Sequence, residues 1–292
     1  MVWCDDWRIS KERKSALRIK YLGTGAAEGI PALFCHCSIC QQARSIKGRN
    51  VRTRAQALID NELLLDFGPD TYMHALMYDL ELADIYHCLV THTHDDHLYV
   101  DDLRARRRSR ANLRPGTQPL TVYGGVGVEE KLKPDSEGAI TKDHSVFFRK
   151  LNAGETYEIG QYSVIPLLAE HGSTEPYVYV ISKSNKTILY GHDTDFFSEN
   201  TWRIIKEKNL VFGLVSLDCT EGKKHIDYPG HMNFERMVHI CEYMRSENII
   251  FEGTKIIANH ISHNGLVGYD EAVEIGKKHD FIVAYDGMEV DI

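Results

Sequence analysis

Six consecutive residues constrain this chain more than any others: His92-Thr93-His94-Asp95-Asp96-His97. They follow an apolar run ending in Cys88-Leu89-Val90-Thr91, which reads as a buried strand. With 15 histidines in 292 residues, three within six is far from a random placement. Neutral imidazole and carboxylate are the ligands that Zn, Mn and Fe favour. In extended backbone His92 and His94 point the same way, because side chains alternate with period two. The turn that follows can carry Asp96 and His97 toward a second point, so a pair of metals becomes an option. The rest of the chain has to supply the ligands this run lacks.

Two later strands end in groups that could do so. Ile165-Pro166-Leu167-Leu168-Ala169 leads to His171, and Ile188-Leu189-Tyr190-Gly191 leads to Asp193. Lys255-Ile256-Ile257-Ala258-Asn259 runs into His260-Ile261-Ser262-His263, and His225 and His231 sit in a loop bounded by Pro229 and Gly230. Leu63-Leu64-Leu65 ends at Asp66, where a carboxylate needs a partner. Support for a metal-bound histidine from behind and a cap for a helix starting near Pro69 are equal readings of Asp66. Upstream, Cys35-His36-Cys37-Ser38-Ile39-Cys40 places three thiols where they can share one zinc, given a fourth ligand from elsewhere. Such a closed site would be structural.

Strands are expected at 17–22, 55–59, 63–66, 85–91, 120–123, 146–151, 162–169, 177–182, 187–190, 210–218, 255–259 and 281–285, with a hairpin turn at Asp60-Asn61. Helices are expected over 70–82, 98–112, 202–208, 233–245 and 269–278. The 98–112 segment carries Arg104, Arg106, Arg107, Arg108 and Arg110, read as a solvated surface, part of which could reach a substrate phosphate. Residues 1–16 read as a polar leader and 133–144 as an exposed, charged excursion. Gly23-Thr24-Gly25 reads as a tight turn at a cleft edge, since it lacks the Lys-Ser/Thr of a phosphate loop.

A net charge of −8 argues against general nucleic-acid binding. No stretch approaches the roughly 18 apolar residues of a membrane span. Seven cysteines, three of them clustered, favour a reducing compartment, so a cytoplasmic location is expected. The charged, Trp-containing start lacks the apolar core of a signal peptide. No domain boundary is evident, so 17–292 is read as one domain.

With these residues in place, the chain resembles the metallo-β-lactamase superfamily, which carries His-x-His-x-Asp-His after a strand, then a His, an Asp and a final His. Here these are His92, His94, Asp96, His97, His171, Asp193 and His260. Within that superfamily it is most similar to the PhnP-like phosphodiesterases, the cyclic-phosphate hydrolase branch. The similarity lies in Leu22-Gly23-Thr24-Gly25-Ala26-Ala27-Glu28-Gly29-Ile30-Pro31-Ala32, the Cys35/Cys37/Cys40 knuckle, His260-Ile261-Ser262-His263 and Asp286-Gly287-Met288-Glu289.

The resemblance implies an α/β fold, the αββα four-layer sandwich. It also implies two active-site divalent metals, Mn or Zn with Fe as a third option, one held by His92, His94 and His171 and the other by Asp96, His97 and His260. Asp193 would bridge them. It implies that His263 completes a structural zinc site and that His231 acts near the leaving group. The expected activity is hydrolysis of a small, cyclic or open phosphodiester by a metal-bridging hydroxide, with a homodimer admissible. A glyoxalase II-like thioester hydrolase is the main alternative. A tRNA 3′-processing nuclease is disfavoured by charge, and a non-catalytic accessory role by the complete ligand set.

Overall fold

The computed structural model describes residues 16–133 and 143–292. All but the last residue of the leader expected at 1–16, and most of the excursion at 133–144, lie outside these residues. Among the described residues, fourteen strands form two seven-stranded sheets. The first sheet has the order β14-β1-β2-β3-β4-β5-β6. Its strands are β1 (Arg18–Gly23), β2 (Gln56–Ile59), β3 (Leu63–Leu65), β4 (His87–Leu89), β5 (Leu120–Gly124), β6 (Val146–Lys150) and β14 (Glu289–Asp291). The second has the order β13-β12-β11-β10-β9-β8-β7. It comprises β7 (Tyr157–Ile159), β8 (Tyr162–Leu168), β9 (Tyr177–Lys183), β10 (Lys186–Gly191), β11 (Leu214–Asp218), β12 (Lys255–Asn259) and β13 (Ile282–Val283). Each sheet is antiparallel along one half and parallel along the other; β3 through β6 and β10 through β13 are the parallel runs.

The sheets face each other across an apolar layer containing Ile19, Tyr21, Leu65, Leu89, Tyr179, Ile188 and Ile257. The outer face of the second sheet is covered by α5 (Glu199–Glu207), α6 (Phe234–Ser246) and α7 (Tyr269–His279), through Trp202, Ile205, Met237, Ile240, Met244 and Ala272. The outer face of the first sheet buries Leu103 and, from α4 (Val126–Leu132), Val128 and Leu132. Burying two sheet faces and the apolar stripes of the helices gives four layers, the expected αββα sandwich.

The hairpin turn forms as read, with Asp60 and Asn61 at φ 49° and 61°, the pair of left-handed residues a two-residue turn requires. Several elements are shorter than expected, and three of them bear on the site. The helix of 70–82 is α2 (Thr71–Met77), ended just before the left-handed Asp79 at φ 51°. The strand of 85–91 is regular over His87–Leu89, and past it the Thr91 N–H bonds the Asp66 carboxylate at 2.8 Å instead of a neighbouring strand. The helix of 98–112 is corrected to one turn, α3 (Val100–Leu103), and a 3-10 turn over Arg104–Arg106. Arg106 draws that segment inward by bonding the carbonyls of Leu82, Ala83 and Gln118 at 2.8–3.1 Å, while the Arg108 N–H turns to the Asp143 carboxylate. Four elements carried no readable period: α1 (Ser38–Ile46), α4, β7 and β14.

Candidate metal centre

The candidate ligands come from both sheets and meet at one edge, past the C-terminal ends of β4, β8, β10 and β12. Short connections leave each strand end directly into the site. Three of the residues placed there, Asp66, Asp193 and His260, have φ of 67°, 48° and 57°. Non-glycine residues rarely adopt this region, and surrounding bonds must hold them in it. Backbone also approaches closely: a Cβ on Gly68 would lie 2.0 Å from the Asp96 carbonyl oxygen, so only glycine fits beneath the His92–His97 turn.

The ring nitrogens of His92, His94 and His171 converge. His94 Nδ1 lies 3.0 Å from His92 Nε2 and 3.2 Å from His171 Nε2. A second group gathers on Asp193 Oδ2, which lies 2.8 Å from His97 Nε2 and 3.0 Å from His260 Nε2. Asp96 Oδ2 is 3.1 Å from His97 Nε2, and Asp193 Oδ1 lies 3.8 Å from His171 Nε2. Asp193 therefore stands between the two groups. All seven residues named as ligands from the sequence are in this one site.

Hydrogen bonds behind the rings fix which nitrogen faces inward. Asp66 accepts from Thr91 Oγ1 at 2.9 Å and from His97 Nδ1 at 2.8 Å, with Asp66 and His97 fully buried. Because the Thr91 hydroxyl donates to Asp66, it accepts from His92 Nδ1 at 3.0 Å. Likewise Thr220 donates to Asp218 at 3.0 Å and accepts from His260 Nδ1 at 2.8 Å. The Gly230 carbonyl accepts from His171 Nδ1 at 3.1 Å. Four rings thus have their N–H engaged outward and a bare Nε2 turned inward, the arrangement of metal-binding histidines. Asp66 meets His97, while α2 begins at Asp70.

With each Nδ1 engaged behind the ring, the inward Nε2 atoms are free to act as donors to a cation. His97 Nε2, His260 Nε2 and Asp193 Oδ2 are buried without a hydrogen-bond partner. Burial holds the His92 imidazole well below its usual pKa, with His97 adding to the effect. At His97 burial acts in the same direction, but Asp96, Asp193 and Asp66 override it and raise the pKa well above normal. The carboxylates therefore favour a positive charge at this point. Bare imidazole nitrogens packed beside carboxylate oxygens are stable around a cation, and the donor set fits hard or borderline divalent metals.

His231 lies at the rim, its ring 4.9 Å from that of His171 and its Nδ1 3.0 Å from Asp218 Oδ2. Burial lowers the His231 pKa, but Asp218 and then Asp193 outweigh it and push the value up to about 9. Asp218 was not singled out in the sequence. It is fully buried at the end of β11 and also accepts from the N–H groups of Asp193, Thr220 and Met232 at 3.0–3.1 Å. The available signal was the one used for Asp66, a carboxylate closing an apolar strand. Asp95, given no role from sequence, pairs with Lys131 of α4 at 2.6 Å, and the same ammonium binds the Thr93 carbonyl.

Cys35, Cys37, Cys40 and His263 form a separate group whose donor atoms all lie within 4.8 Å of one another. His263 Nδ1 is 3.6 Å from Cys35 Sγ and 3.5 Å from Cys37 Sγ. The Cys37 and Cys40 N–H groups point at Cys35 and Cys37 Sγ at 3.4 Å, and Cys37 also caps α1. The glycine-rich turn brings His263 to this knuckle, since the Ile261 N–H bonds the Thr24 carbonyl at 3.1 Å.

Two facing mixed sheets between helices, with a histidine–aspartate centre at one edge, define a metallo-β-lactamase-fold hydrolase. A model of the β-lactamase superfamily domain matches residues 61–252, and the chain belongs to that superfamily. An octanoyltransferase of Porphyromonas gingivalis is 25% identical over 287 residues, covering 94% of this chain and 52% of that protein. Ribonuclease Z of Lacticaseibacillus casei is 35% identical over 120 residues, covering 40% of this chain and 32% of that enzyme. The chain thus spans about half the length of the first relative and aligns with about a third of the second. The crystal structure of a diphosphatase from the PhnP family superposes with a TM-score of 0.74 at 21% identity, covering 95% of this chain and 97% of that one.

Proposed function

We propose that residues 17–292 form a single hydrolase domain that cleaves a small phosphodiester, cyclic or open, with two divalent metals at the site. The observation that carries this reading is the set of bare imidazole nitrogens and carboxylate oxygens divided by Asp193. His92, His94 and His171 would hold one metal, Asp96, His97 and His260 the other, with Asp193 shared. When bound, such metals lower the pKa of a water and neutralise charge growing on phosphoryl oxygens. Zinc and manganese both suit these ligands.

The chain's own residues supply the remaining chemistry. Asp218 accepts the Nδ1–H of His231, which fixes the ring and leaves Nε2 for a leaving-group oxygen. Its raised pKa keeps His231 protonated near neutral pH, the state needed to donate a proton as the ester bond breaks. Asp66, Thr91 and Thr220 keep the rings of His97, His92 and His260 in the tautomer that presents Nε2. The similarity to ribonuclease Z and to the PhnP-family fold supports phosphoester chemistry. At the knuckle, Cys35, Cys37, Cys40 and His263 would hold a structural zinc, and their free thiols suit a cytoplasmic setting.

Thioester hydrolysis is the second reading; the match to a protein named octanoyltransferase, of which this chain spans about half, points toward an acyl substrate. Assaying metal-loaded protein on bis-p-nitrophenyl phosphate against octanoyl and glutathione thioesters separates the two. Turnover confined to thioesters contradicts the proposal.

A further inference from the structure

One loop serves both sides of the site. Residues 226–231 carry His231, and the Gly230 carbonyl orients His171 from behind at 3.1 Å. Gly230 has φ 107°, which only glycine adopts freely, and this lets the chain turn its carbonyl toward the ring. Ile226 is buried at the start of the loop, and Pro229 is exposed. The loop borders a cavity of about 500 Å³ lined by Glu170, Asp195, Phe196, Pro229, Arg236 and His239.

Arg236 spans that gap. Its Nη1 binds the Tyr228 carbonyl at 3.2 Å and its Nη2 the Ile226 carbonyl at 3.3 Å. Nη1 also meets Asp195 Oδ2 at 2.7 Å, and Asp195 lies two residues beyond Asp193. The backbone that carries the guanidinium is held at the start of α6, where the Arg236 main-chain N–H bonds the capping Asn233 side chain at 2.8 Å. A planar fork can hold two carbonyls and a carboxylate at once; an ammonium on a flexible stem cannot hold the same geometry.

We propose that Arg236 is a positioning residue for the metal centre. It fixes loop 226–231 against the loop that follows Asp193, and so sets His171 and His231 relative to each other. Only the kinetic part of this proposal rests on the phosphodiesterase reading.

The test uses Arg236→Ala in the full chain. Zinc titration of chelator-stripped protein should show binding beyond the knuckle's equivalent weakened about tenfold or more, the scale of lost ligand orientation. The kcat on diphenyl phosphate should fall much further than that on bis-p-nitrophenyl phosphate, because only the poorer leaving group needs a well-placed His231. Added guanidinium should restore part of both losses, and Arg236→Lys should show them in weaker form. A purely structural role would lower Tm without changing the ratio of the two rates. Asp195→Asn keeps the side-chain volume and gives the same directions at smaller size should Arg236→Ala not fold. Unchanged zinc affinity in both variants overturns the proposal. If the wild-type protein hydrolyses neither diester, the phosphodiesterase reading falls, and the zinc titration still decides the role of Arg236.

Discussion

At the scale of single residues, the groups behind the ligands deserve as much weight as the ligands. Asp66→Asn would leave His97 with an acceptor of weaker pull and free its tautomer; metal affinity should drop about 10–100-fold, read by titration with a chromophoric chelator. His231→Ala should retain its metals and lose about 10²-fold or more in turnover of a poor leaving group. Equal loss on good and poor leaving groups would take His231 out of proton transfer. Sequence made the ligands visible because they cluster in the His92–His97 run or follow the ends of apolar strands. Asp218 has that same placement, yet a lone carboxylate beside Cys219 and Thr220 carries no metal-like spacing. The roles of Gly230 and Arg236 run through backbone carbonyls, which no residue type advertises. Asp95 became intelligible only when α4 brought Lys131 beside it.

At the scale of elements, His74 ties α2 to the first sheet, its Nδ1 2.6 Å from Gln56 Oε1 and its Nε2 2.7 Å from Thr53 Oγ1. Burial, against the opposing pull of Asp70, lowers its pKa from 6.5 to about 4. Between these values the unfolded chain binds more protons than the folded one, so the stabilisation present above pH 6.5 is lost as the pH falls toward 4. Its full size is about 3 kcal/mol by the conversion of pKa to free energy. Thermal melts of wild type and His74→Gln should therefore differ less at pH 5 than at pH 7.5; a constant difference would contradict the assignment. The knuckle is a second such element. Cys37→Ser should lower zinc content and Tm together, because structural zinc contributes directly to folding. Long apolar strands such as β8, β9 and β10 were legible, since a buried run of six or seven residues stands out between polar turns. The three-residue strands β7 and β14 are too short to show a period and form through their neighbours. The 98–112 helix failed because Arg106, a surface residue by type, is bound by four backbone carbonyls.

At the scale of the whole molecule, the two sheets each end their parallel run at the same edge, and that edge collects every candidate ligand. The first sheet supplies Asp66 and the His92–His97 turn, the second supplies His171, Asp193, Asp218 and His260, and the glycine-rich turn after β1 bonds across to Ile261. Metal loading should consequently couple to global stability: chelation should lower Tm by an amount that rises with metal affinity, as expected for any ligand that binds only the folded state. The most direct measurement is the hydrolysis rate of bis-p-nitrophenyl phosphate as Mn or Zn is added back to stripped protein carrying only its knuckle zinc. The account predicts no turnover without added metal and a rate that saturates at two further equivalents. Saturation at a single equivalent, or activity on octanoyl thioester with none on the diester, would contradict it.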